Sequence, residues 1–410
     1  MTGERITKLY TVLNEKLDQT QELSDEDILR EIDQMIFEES RERYMSLHER
    51  IKLRQELFNG IRRLDILQEL LEDEGVTEIM VNGTDGVFIE KEGRLTRWEK
   101  HFTSREKLED VVQQIAGKCN RIINEALPIA DARLENGDRV NMVLSPVALN
   151  GPVITIRRFP KTPITMKKLI EIGSISEEAA GFLKDLVWAG YNIFICGGTG
   201  SGKTTFLNAL SDYIPKDERI ITIEDNAELQ IQGVENLVRL EARRGNTGGR
   251  YAVSIRDLIK SSLRMRPSRI IVGEVRGEEA VDMLQAMNTG MDGSLSTGHG
   301  NSPQDMLMRL ETMVLMGMEI PLAAVRRQIA SAIDILIHLG RLRDKSRRVL
   351  EICEVTGYDY AAGEIMTSVL YAFFEEAKEK EGRVQGKLQK QNDLLHIQKL
   401  IRAGIRRGTG

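Results

Sequence analysis

Gly197-Gly198-Thr199-Gly200-Ser201-Gly202-Lys203-Thr204-Thr205 is the stretch that decides the fold. It follows the apolar run Asn192 to Cys196 and opens the helical pattern Phe206 to Tyr213, so it sits where a buried strand turns into a helix. Glycines at this spacing let successive backbone N–H groups face an anion with no Cβ in the way, at a helix N-terminus whose dipole favours negative charge. Lys203 is expected to reach the β- and γ-phosphate oxygens of a nucleotide, and the Thr204 hydroxyl to ligate Mg²⁺.

Downstream, apolar runs ending in charge recur. Arg219 to Leu229 (RIITIEDNAEL) ends a strand in Glu224 and Asp225, with Glu228 one helical turn later. Carboxylates at the C-terminal end of a parallel strand point into the crevice where a ligand sits. Arg269 to Ala280 (RIIVGEVRGEEA) delivers Glu274 beside the γ-phosphate region as a base or orienter for water. Gly273 stands where an aspartate is usual, which leaves Mg²⁺ to Thr204, waters and the earlier carboxylates Glu224 and Asp225. In Gly293 to Pro303 (GSLSTGHGNSP), His299 lies between glycines after a short strand, either as a γ-phosphate sensor or relay or as a packing residue. Arg239, Arg243, Arg244, Arg250, Arg256, Arg264 and Arg266 crowd the same region. Each reads singly as a solvated charge. A subset, with Arg239 and Arg264 as the candidates, would stabilise transition-state charge.

Between these motifs the runs YNIFIC, RIITIE, NLVRLE, RIIVGE, GSLST and DILIHL suit buried parallel strands alternating with helices. Past Arg347, VLEICEVTGYDY and EIMTSVLYAFF read as a hairpin around Ala361 to Gly363. Leu394, Ile397, Leu400 and Ile401 then predict a helical tail over 376–410, packing on the core or docking elsewhere.

Upstream, Ser24 and Asp27 form a capping-box pattern before Ile28, Ile32, Met35 and Ile36 on one helical face. A second helix is expected over Arg41 to Asn59, carrying Tyr44, Leu47, Ile51 and Leu57 and stopping at Gly60 as C-cap. Residues 1–60 thus read as a helical module and 61–160 as an α+β domain, with turns at Asn82-Gly83 and Asn136-Gly137. Pro163 marks the linker to the 161–375 core. Arg133, Arg139, Arg157 and Arg158 lie on strand candidates. Anionic partners such as a nucleotide would suit them, and a surface strand with outward charges is the alternative.

Composition sets the outer bounds. A chain of 410 residues with 29% charged and 41% hydrophobic residues is a folded multidomain protein, and a net charge of -6 argues against nucleic acid as a partner. The 3 cysteines have no metal-site spacing and read as reduced core thiols in the cytoplasm. With no signal peptide and no apolar run of the ~18 residues a span needs, any membrane connection is expected to go through a partner.

Together the motifs resemble the CpaF/TadA-type branch of the type II/type IV secretion and pilus-assembly ATPases, over Ile61 to Phe373. GGTGSGKTT is similar to the family's Walker A, ITIEDNAEL to its Asp box, RIIVGEVRGEEA to its atypical Walker B and GSLSTGHGNSP to its His box. ALPIADARLENGDRVN and ITIRRF resemble its nucleotide-facing N-terminal strands, which implies that Arg133, Arg139, Arg157 and Arg158 clamp nucleotide. In LRMRPSRI, Ser268 replaces the family's aspartate, and Gly300 stands where alanine is frequent.

The expected fold is α/β: a RecA-like P-loop core, an N-terminal α+β (PAS-like) domain and an N-terminal helical module. The resemblance implies a homo-hexamer binding ATP and Mg²⁺ between the two domains of each subunit. It would be cytoplasmic, peripheral at the inner face of the membrane, and act through an inner-membrane platform protein. The absence of an LSGGQ-like signature, an NKxD motif and a substrate lid argues against an ABC ATPase, a GTPase and a small-molecule kinase. A DNA-translocating motor of the same fold and an ATP-gated scaffold with slow hydrolysis stand as alternatives.

Overall fold

The computed structural model describes residues 9, 10, 12, 13, 24–91, 93–159, 163–243, 252–376, 382 and 384–405, in two compact units that divide at Lys161 and Thr162. In the first unit Ser24 caps the helix Asp25–Glu42 through a capping box with Asp27, and Ile28, Ile32, Met35 and Ile36 are buried. The second helix differs from expectation. It begins only after a break, at Leu47–Arg62, with Ser46 and Glu49 forming another capping box, and it runs through Gly60. Gly60 is needed for contact rather than for termination, because a Cβ there would lie on the Tyr10 ring. The inward residues are Leu53 and Leu57, and Tyr44, Leu47 and Ile51 are exposed.

The strands β1 (Val76–Asn82), β2 (Val87–Lys91), β3 (Arg94–Arg97), β4 (Ile129–Arg133), β5 (Arg139–Val143) and β6 (Val153–Arg157) form a sheet in the order β3-β2-β1-β6-β5-β4. Period-2 alternation turns Ile79, Val81, Ile154, Ile156, Val140 and Met142 inward, into a core shared with Leu108, Val112 and Ile115 of the helix Arg105–Lys118. The same alternation brings Arg133 opposite Arg139, Arg139 opposite Arg157, and Arg157 opposite Glu78, a cross-strand row on four adjacent strands.

The second unit is built on a 9-stranded sheet. Its strands are β7 (Ile193–Gly197), β8 (Ile220–Glu224), β9 (Leu237–Glu241), β10 (Arg269–Val272), β11 (Leu295–Gly298), β12 (Ile335–Arg341), β13 (Arg347–Asp359), β14 (Glu364–Glu375) and β15 (Gly386–Lys390), in the order β15-β14-β13-β12-β7-β11-β10-β8-β9. From β12 to β9 neighbouring strands are parallel; beyond β12 they are antiparallel. This is a RecA-like core. β7, β8, β10 and β11 are buried at every position, as the unbroken apolar runs require of strands covered on both faces.

Asn192 ties strand starts to helix ends: its side chain accepts from Gly293 and Ser294 N–H at 3.0 and 3.1 Å and donates to the Ala332 carbonyl at 2.8 Å. The tail is not the helix that its spacing suggested. Among the described residues it supplies β15 to the sheet edge, then only the short helix Gln398–Arg402. Leu388 and Leu400 join the core, and Glu354, buried in β13, accepts the N–H groups of Leu395 and His396.

Candidate nucleotide site

Parallel strands end at one edge, so the phosphate loop after β7, Glu224 at the end of β8, Glu274 after β10 and His299 after β11 are delivered to the same side of the sheet. Gly197 is the tightest point of the loop. A Cβ there would meet the Leu339 carbonyl and Ser201 Oγ. Gly200 and Gly202 turn at φ 73° and 93°, in the left-handed region open to glycine, and Gly202 starts the helix Lys203–Ser211. Thr204 and Thr205 are half-exposed on its first turn.

Lys203 is buried, with Nζ donating to the carbonyls of Gly197 and Gly198 at 3.1 Å each and lying 3.4 Å from His299 Nδ1. An ammonium facing Nδ1 demands its lone pair, which assigns the ring proton to Nε2. Nε2 lies 2.7 Å from Glu274 Oε1. Burial first, then Lys203, holds the His299 pKa below its usual value, against the opposing pull of Glu274, so the ring is neutral in this chain of contacts. Arg276 donates to Glu274 Oε2 at 2.6 Å and reaches Asp225 at 3.6 Å.

Glu224 is 3% exposed, and its Oε1 accepts the N–H groups of Glu228 and Leu229 at 2.8 and 2.9 Å. Burial pushes its pKa up to about 7 despite those two bonds and the nearby Arg239. Its Oε2 and the Ser201 hydroxyl are buried without a hydrogen-bond partner. Oxygen donors of this kind beside a phosphate loop fit a hard divalent cation, and the donor set Thr204, Glu224 and Asp225 is of the right chemistry for Mg²⁺.

The arginines sort unequally. Arg239, exposed on β9, donates to the Leu229 carbonyl at 3.1 Å, and Arg264 and Arg266 are exposed after the helix Ile255–Ser262. Arg256 is committed to Asp282 and Glu278, each at 2.7 Å, and so has a structural role. Arg243 lies in a β-bridge to Val253; Arg244 and Arg250 lie outside the described residues.

In the first unit, Arg133, Arg139 and Arg157 share the row described above, whereas Arg158 does not join them. Its guanidinium donates to the Leu70 and Asp73 carbonyls at 2.8 and 2.9 Å and lies 3.1 Å from Asp138. Asp138 in turn receives the Phe159 N–H at 2.6 Å, so the pair fastens the end of β6 to the β4–β5 turn.

Three residues escaped the sequence reading. Arg276 carries a signal, two positions after Glu274. Arg309 lines a cleft of 580 Å³ together with Gly198, Thr199, His299 and Asn301, yet in sequence it is an ordinary helix charge. Arg347, which donates to the Gly200 carbonyl, is a hairpin residue far from any motif.

The family model described as Type II/IV secretion system protein matches residues 62–390. A Mycobacterium tuberculosis protein carrying a conjugal transfer name is 37% identical over 293 residues, which span 70% of this chain and 83% of that one. Type IV secretion system protein PtlH of Bordetella pertussis is 33% identical over 315 residues, 70% of this chain and 93% of its own. Among solved structures, the ATPase DotB of Yersinia pseudotuberculosis superposes with a TM-score of 0.51 at 18% identity, over 73% of this chain and 80% of that one, a likeness of fold.

Proposed function

Because the chain belongs to the type II/IV secretion system protein family, we propose that it is an ATP hydrolase working as a hexameric motor in pilus assembly or protein secretion. The observation that supports this most is the run of contacts Lys203, His299, Glu274 and Arg276 beside a phosphate loop.

In this reading the amides of Gly197 to Thr205 cradle the phosphates, and Lys203 exchanges two loop carbonyls for phosphate oxygens. Thr204, with Glu224 and Asp225, holds Mg²⁺, which supplies charge neutralisation at the phosphate oxygens. Glu274 takes the proton of the attacking water. Arg276 holds one of its oxygens and His299 stands against the other, which fixes the carboxylate in direction. When Lys203 leaves for a phosphate, His299 loses its Nδ1 neighbour, which makes the ring a sensor. Arg239 and Arg264 are the candidates for stabilising transition-state charge, and the row Arg133, Arg139 and Arg157 for holding the nucleotide. Arg158 serves that row by securing Asp138.

Among the described residues no helix is long and apolar enough to cross a membrane. The proposed place of work is the cytoplasmic face of the inner membrane, against a platform protein. Relatives named for conjugal transfer, TrbB of Rhizobium radiobacter among them, favour a DNA-translocating motor as the second reading. Phosphate release from Mg-ATP by the wild type and by Lys203→Ala, with and without duplex DNA, tests both. Lys203-dependent turnover indifferent to DNA is expected; stimulation by DNA would favour the second reading, and turnover too slow to do work an ATP-gated scaffold.

A further inference from the structure

A phosphate loop turns its N–H groups toward the anion, so its carbonyls face outward and each needs a partner of its own. Lys203 serves Gly197 and Gly198. The Gly200 carbonyl is served from outside the motif, by Arg347 Nε at 2.8 Å, 147 residues along the chain. The stem of the same side chain lies over Gly202, where a Cβ would stand 3.4 Å from Arg347 Cδ. Arg347 therefore touches both glycines on which the loop turns.

Its own position is set by the hairpin between β12 and β13. Leu342 N–H donates to the Ser346 carbonyl at 2.8 Å, and Lys345 takes the left-handed φ of 67°. Asp344 closes the turn by accepting from Ser346 N–H at 3.0 Å and Oγ at 2.6 Å. Its other oxygen accepts the Val384 N–H at 2.9 Å, while Arg348, next to Arg347, donates to the Val384 carbonyl at 3.0 Å. Both backbone groups of this buried residue, just before β15, are thus caught by the hairpin that carries Arg347.

The geometry points to Arg347 as a positioning residue for the phosphate loop, held in place by the clasp of Asp344 and Arg348 on Val384. The C-terminal strand is thereby coupled to nucleotide affinity: a shift of Val384 moves the hairpin, and with it the partner of the Gly200 carbonyl. This deepens the nucleotide reading above and rests on it.

Two measurements on the full chain test the coupling. The first is hydrogen exchange of the 197–205 amides without nucleotide; the second is titration with a fluorescent ADP analogue, alongside ATP turnover. Arg347→Ala is expected to speed exchange of the loop and weaken nucleotide binding by about five- to tenfold, the scale of one exposed hydrogen bond, with kcat at saturating ATP within about twofold. Arg347→Lys should lie between, and Asp344→Asn should shift exchange and affinity the same way. Arg343→Ala, which removes a hairpin charge paired with Glu375 instead, should match the wild type.

A folded Arg347→Ala protein with wild-type exchange and affinity would overturn the assignment. A wild-type Asp344→Asn beside an altered Arg347→Ala would overturn the link to the C-terminal strand. Wild-type protein that binds no nucleotide would overturn the reading beneath, an outcome distinguishable because the exchange measurement needs no ligand.

Discussion

Gly273 and Glu224 share one space: a Cβ on Gly273 would stand 2.9 Å from Glu224 Cγ. The position before Glu274 lacks a carboxylate because the carboxylate of the neighbouring strand already fills it. Gly273→Ala should therefore displace Glu224, lowering thermal stability by about 1–3 kcal/mol and turnover by at least about tenfold. Adding Glu224→Asp, one methylene shorter, should restore stability but not turnover. Melting and steady-state assays of the two variants check this, and recovered turnover in the double variant would show that the chemistry does not need the full reach of the Glu224 side chain.

His299 bridges Lys203 and Glu274. His299→Ala should lower kcat by about 10²-fold, in the range of a positioned acid–base partner, while leaving the affinity for an ADP analogue within about threefold. Rapid-quench and binding assays separate the two effects, and unchanged kcat would return His299 to a packing role.

The arginines of the first unit should part company. Arg139 faces Arg133 and Arg157 directly, and like charges in opposed cross-strand pairs repel. Arg139→Ser should reduce turnover and cost far less stability than loss of Arg158. Arg158→Ala takes the cationic partner from the buried carboxylate of Asp138, leaving it the neutral Phe159 N–H and Asn136 amide as donors, and should cost about 3 kcal/mol of stability. Chemical denaturation of both variants checks the contrast.

His338, on β12, stands in register with Cys196 on one side and Glu351 on the other. Burial holds its pKa below the usual 6.5, opposed by Glu351 and Asp305. The unfolded chain then binds the proton more readily, so stability is full above pH 6.5 and is lost as pH falls through the lower folded-state value. His338→Gln should lack that part of the acid-side loss. Melting temperatures of both proteins from pH 8 to pH 5 should converge in acid, and parallel curves would contradict the assignment.

What the sequence disclosed was local. The phosphate loop, Glu274, and the Ser24 and Asp27 box are each written within a few neighbouring residues, and the structure has all three at the element ends expected of them. What it concealed depends on distant partners. Gly60 looked like a helix stop because nothing nearby announces the Tyr10 ring against it. The tail looked helical because pairing of β15 with β14 is invisible to periodicity. Arg158 read as one of four similar strand arginines, yet Asp138 draws it into a buried pair, and Arg347 meets its loop across 147 residues.

The most direct test of the motor reading is ATP turnover against protein concentration for the wild type and Glu274→Gln, with mass followed by light scattering in Mg-ATP. Turnover is expected to rise as a hexamer forms and to collapse in the variant while the hexamer and nucleotide binding persist. A monomer whose turnover is independent of concentration, or a variant as active as the wild type, would contradict the motor reading.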